Sequence, residues 1–98
     1  IVDEKRLTKF LNDCIAKKES DVLEFVNYVY NSGYSLVNQI LALHNLILNS
    51  TKLTSQEKSE IIVILANIDQ NLIKGCDEIT QLYKLSYFIM FKKSNLKT

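Results

Sequence analysis

Thr54-Ser55-Gln56-Glu57-Lys58-Ser59-Glu60-Ile61-Ile62-Val63-Ile64-Leu65-Ala66-Asn67-Ile68-Asp69-Gln70-Asn71-Leu72-Ile73-Lys74-Gly75 is a helix with both of its ends written into it. Thr54 and Glu57 have capping-box spacing: the Thr54 hydroxyl accepts from the Glu57 amide while the Glu57 carboxylate reaches back. Ile61, Ile64, Leu65, Ile68 and Leu72 then recur with the period of one helical face. Gly75 ends the run, because glycine takes the left-handed position after a helix without a Cβ penalty.

The same period continues on both sides of this segment. Upstream, a polar loop of Asn49-Ser50-Thr51-Lys52 follows a helix that begins after Ser35 and runs to about Leu48. Its stripe is Leu36, Ile40, Leu43 and Ile47, widened by Val37 and Leu41. Before it, Gly33 stops a helix that starts near Ser20 or Asp21 and turns Val22, Phe25, Val26 and Val29 inward. The β-branched and aromatic content there also suits a strand, but Glu24, Asn27 and Asn31 fall on the opposite side with helical spacing. The first helix covers about Asp3 to Lys18, with Leu7, Phe10, Leu11 and Cys14 on one face. Downstream, a fifth helix starts near Asp77, which caps it, turns Ile79, Leu82, Ser86 and Ile89 inward, and frays from Lys92 to Thr98. Short loops between long helices make antiparallel neighbours. The expected fold is all-α, a compact bundle of about five helices in one domain spanning 1–98.

Composition agrees and excludes. The 98 residues hold no proline and two glycines, where average usage gives about five and about seven. A Gly-rich phosphate loop and a sandwich of many short strands both need more turn residues than that. Lys and Arg total 12 against 11 acids, so the net charge of +1 gives no general attraction to nucleic acid or anionic membrane. The longest apolar run, Ile61 to Ala66, is far too short to span a bilayer. The chain begins at Ile1 without a signal-peptide core, and reads as a piece of a longer protein.

Little in the chain carries chemistry. His44 is the single histidine and has no partner at metal-ligand or catalytic spacing, so it reads as packed or half-exposed. Cys14 continues an apolar face and reads as a small hydrophobe; Cys76 lies at a helix junction, where a thiol pKa can fall, but lacks a base. These two cysteines stand 62 positions apart with no metal-ligand spacing, which fits a reducing compartment. Asp77 and Glu78 are explained by helix capping and the helix dipole. Lys92, Lys93 and Lys97 read as a solvated basic tail. No catalytic, cofactor-binding or metal residues are assigned.

The informative feature is surplus hydrophobicity. Ile62, Ala66 and Ile73 stand roughly 100–140° from the inner stripe of their helix. In the fifth helix Leu85, Phe88 and Phe91 are placed off the Ile79-Leu82-Ile89 face, and Tyr87 flanks it. A helix apolar on more than one side needs more than one cover. These seven residues are the candidate partner interface; the caps Gly33, Thr54, Glu57, Gly75 and Asp77 are structural.

Several strings also carry a resemblance. Asn31-Ser32-Gly33-Tyr34-Ser35, Ile40-Leu41, Leu53-Thr54-Ser55-Gln56-Glu57-Lys58-Ser59, Leu65-Ala66 with Asp69 and Leu72, and Gly75-Cys76-Asp77-Glu78 with Gln81-Leu82 occur in this order. Together they resemble the C-terminal domain of replication factor C small subunits, over about Leu7 to Leu85. The Lys-rich, aromatic end from Tyr87 onward does not align. The resemblance implies a parent of the AAA+ ATPase family with ATP and Mg in an absent domain, and a nuclear place in DNA replication. It also implies a collar in which the helical domains of five subunits pack side by side. The parent complex would load a sliding clamp onto primer–template DNA, with other replication factor C subunits as partners and no membrane. The alternative is a helical self-association or adaptor module unrelated to replication. A small enzyme using Cys76 or His44 is a third and weaker reading.

Overall fold

The computed structural model describes the backbone of residues 3–96 and the side chains of residues 3–91. Five helices are present among them: α1 (Glu4–Ile15), α2 (Glu19–Ser32), α3 (Ile40–Asn49), α4 (Ser55–Ile73) and α5 (Glu78–Leu96). A single 3-10 turn, Val37–Gln39, leads into α3. The third helix therefore starts later than the sequence reading has it, with Leu36 buried in the turn region ahead of it. The radius of gyration is 12.5 Å, close to the ~13 Å of a compact chain of this length.

The helix ends follow from local chemistry. At the start of α4 the Glu57 amide donates to Thr54 Oγ1 at 3.1 Å, and the Thr54 amide donates to Glu57 Oε1 at 2.8 Å. At its end Gly75 has φ 90°, the Cys76 amide reaches the Asn71 carbonyl, and the Gly75 amide reaches Leu72. That pairing is a Schellman motif. Gly33 ends α2 with φ 73°. Asp77 caps α5: the Thr80 amide and hydroxyl each donate to its Oδ2 at 2.8 Å.

The first helix is shorter than expected. It ends at Ile15, and Lys17 takes φ 61°. The Lys18 amide donates to the Asp13 carbonyl and the Lys17 amide to Cys14, which repeats the Schellman pattern with a lysine in the left-handed position. No glycine marks this stop. Lys18 to Glu19 then turns directly into α2, a residue or two before the expected start. At the other end, α5 continues as helix through Lys92 and Lys93 to Leu96, where fraying was expected. Lys97 lies outside the described residues.

The packing is a cycle with one addition. Helices α1, α3, α4 and α5 each pack on the next, and α5 closes back on α1. Helix α2 lies over the α1/α5 seam and also packs on α5. It inserts Val22, Val26 and Val29, all buried, at i, i+4, i+7. The core inside the cycle is Leu7, Phe10 and Leu11 from α1, Leu43 and Ile47 from α3, Ile61, Leu65 and Ile68 from α4, and Leu82, Leu85 and Ile89 from α5.

Candidate functional site: an apolar seam between α3 and α4

Helix α5 touches α1, α2 and α4, whereas α4 touches α3 and α5. That difference decides which surplus apolar residues stay outside. Leu85 does not: it is 1% exposed and belongs to the core. It stands three residues from Leu82 and four from Ile89, so it shares their face, and its assignment to a partner surface is overturned. Phe88 and Tyr87 are half-buried and pack against the core. Phe91 remains 59% exposed. It ends an aromatic ladder along α5 in which Tyr83 and Tyr87 stack at 6.3 Å and Tyr87 and Phe91 at 5.8 Å.

On α4 the surplus stays open. Ile62 is half-buried, Ala66 is exposed, and Ile73 is 76% exposed. Ile62 and Ala66 form one wall of a groove of about 380 Å³ between α3 and α4, with Asp69 further along the same face. The other wall is Val37, Ile40, Leu41 and His44. Leu65, part of the core, forms the floor. The groove is apolar apart from His44 and Asp69. Ile73 continues the Ile62-Ala66-Asp69 stripe at the next turn toward Gly75.

The sequence reading missed half of this site. Leu41 widens the inner stripe on paper, yet it is 70% exposed at the groove mouth. The signal was present: Leu41 lies about 100° around the helix from Ile40 and has no place on the Leu43-Ile47 face. Asp69 was noted for its place in a sequence pattern and not for its setting. It is half-buried, whereas the buried Asp13 carboxylate on α1 is held by Lys9 at 2.8 Å. No described base lies within 4 Å of Asp69.

The remaining candidates stay structural. His44 is half-buried in the groove wall. Cys14 is fully buried, and burial pushes its thiol up to about 12, against a weaker opposing contact from Ser86. Cys76 is exposed and free. Among the described residues no three of His, Cys, Asp and Glu gather in a metal-holding group. No described helix is long and apolar enough to cross a membrane. The α4–α5 contact is fixed by polar links: Asn71 Nδ2 donates to Gln81 Oε1 at 3.0 Å, and Lys84 Nζ to Asn67 Oδ1 at 3.1 Å. The loop before α3 is tied to α5 where Ser35 Oγ donates to Glu78 Oε2 at 3.3 Å.

Residues 2–87 match the family model described as the replication factor C C-terminal domain. Comparison with curated proteins and with solved structures finds no significant match. The strings around Gly33 and Gly75 that carried the resemblance both lie inside the matched span. With that match over most of its length, the chain belongs to the replication factor C C-terminal domain family.

Proposed function

We propose that this domain is the collar module of a replication factor C small subunit. It holds a clamp-loader pentamer together and has no catalysis of its own. The observation that carries the reading is the presence of two unlike apolar surfaces on one small bundle: the α3/α4 groove, and the aromatic end of α5 at Phe91. A subunit in a closed ring makes heterologous contacts, so it needs two different patches, one for each neighbour. A symmetric dimer needs only one patch that complements itself.

On this reading the neighbours are other replication factor C subunits. ATP and Mg belong to an AAA+ domain elsewhere in the parent chain. The sliding clamp and primer–template DNA are contacted by the assembled complex, and the place of action is the nucleus. The small net charge of +1 supports assigning DNA contact to the complex and not to this bundle.

The test is assembly of the full-length protein with its co-expressed partner subunits. Ala66→Arg and Phe91→Asp change exposed side chains, one on each surface. Each variant should keep its helical circular dichroism but yield incomplete complexes on size exclusion. Normal pentamers from the double variant would overturn the assignment. A parent gene without phosphate-loop and ATPase motifs upstream would favour an adaptor module outside replication.

A further inference from the structure

The bundle contains its own example of a filled seam. Helix α2 lies on the α1/α5 seam and seats Val22, Val26 and Val29 at i, i+4, i+7. In the cycle α1–α3–α4–α5, the seam across from it is α3/α4, and no described helix covers that one. Each seam lies between two neighbouring helices of the cycle. The open one carries two polar side chains in its lining, His44 and Asp69. Its lining includes a half-buried carboxylate, Asp69, with no described base within 4 Å. A carboxylate among aliphatic side chains is costly to cover unless the cover brings a hydrogen-bonded cation.

We propose that the α3/α4 seam receives an amphipathic helix from an adjoining subunit, and that a lysine or arginine on that helix pairs with Asp69. The inference rests on the collar reading and names the chemistry of one of its two contacts. The occupant lies along the groove as α2 lies along the opposite seam, with aliphatic side chains one helical turn apart between Leu41 and Ala66. Its base sits beyond the aliphatic contact, toward the Asp69 end. The apolar contact supplies most of the affinity. The charge pair sets register and rejects helices that present an acid at that position.

The experiment uses the full-length protein co-expressed with its partner subunits. A photo-crosslinking amino acid at Ala66 should join this chain to a helical segment of one neighbouring subunit, with a lysine or arginine within about one turn of the captured residue. Asp69→Lys should weaken assembly at least tenfold, Asp69→Asn by less, and replacing the captured base by an acid should restore binding to Asp69→Lys. Unchanged melting temperatures of the Asp69 variants separate lost pairing from lost fold. Capture of a segment without a base, or Asp69→Lys assembling as the wild type does, overturns this proposal and leaves the collar reading standing. Failure of the wild-type chain to join any replication factor C subunit overturns the collar reading, and this proposal with it.

Discussion

Thr54 and Glu57 each satisfy the other's backbone amide, at 3.1 Å and 2.8 Å, and so fix where α4 begins. The start of α4 in turn fixes which of its faces meets α3. Ala in place of Thr54 should cost about 1 kcal/mol, or roughly 4–8 °C in melting temperature for a domain of this size. The double variant T54A/E57A should lose less than the sum of the single losses, because the two bonds belong to one motif. Thermal melts of the four proteins measure this.

The three left-handed positions should respond with opposite signs. A Cβ at Gly33 or Gly75 would meet no atom within 4 Å, so only backbone strain opposes substitution there. Gly33→Ala and Gly75→Ala should each cost about 1 kcal/mol. Lys17 already carries that strain at φ 61°. Lys17→Gly should gain about 0.5 kcal/mol, since glycine's extra freedom in the unfolded chain offsets part of the relief. Chemical denaturation midpoints report all three.

Asp77 gives the acid limb a recognisable contribution. The Thr80 amide and hydroxyl both donate to its carboxylate, which holds its pKa below the ordinary 3.8. A carboxyl with a depressed folded pKa stabilises above its unfolded value, and loses that contribution as pH falls through the folded value. Melting temperature should therefore fall as pH drops below about 4, and Asp77→Asn should flatten that decline. An unchanged slope in the variant would remove the capping account.

The two cysteines should separate cleanly. Cys76 is exposed and should react at once with a thiol reagent in the native protein. Cys14 is fully buried, with its thiol pushed up to about 12, and should react only as the domain opens. Its labelling rate should rise with denaturant until it meets that of Cys76.

Leu85 and Phe91 share α5 and should fail in different assays. Leu85→Ala opens a cavity in the core and should cost about 2–5 kcal/mol of stability. Phe91→Ala removes only its stack on Tyr87 and should cost about 1 kcal/mol of stability, while weakening assembly. Equal stability losses in the two variants would contradict the burial pattern.

Most of the helices were legible in the sequence because their signals are local. A capping box, a glycine after the last turn and an apolar residue every three or four positions act over a single turn of chain, and α4 carried all three between Thr54 and Gly75. The stop at Lys17 was not legible, because its left-handed turn is held by backbone bonds to Asp13 and Cys14 and not by a residue type that favours it. Half of the candidate site was legible as well: Ile62, Ala66 and Ile73 stand off the inner face of α4 by period alone.

Only the tertiary structure decided which surplus stays uncovered. Periodicity gives the direction of a side chain around its own helix, but not the number of helices that surround it. Helix α5 has three neighbours and takes Leu85 into the core, with Phe88 partly covered. Helix α4 has two, and its flank joins Leu41 of α3 in an open seam. The sequence by itself determined the helices, most of their ends and the excess of apolar surface. The packing of α2 on the α1/α5 side, with no described helix over α3/α4, decided where that excess lies.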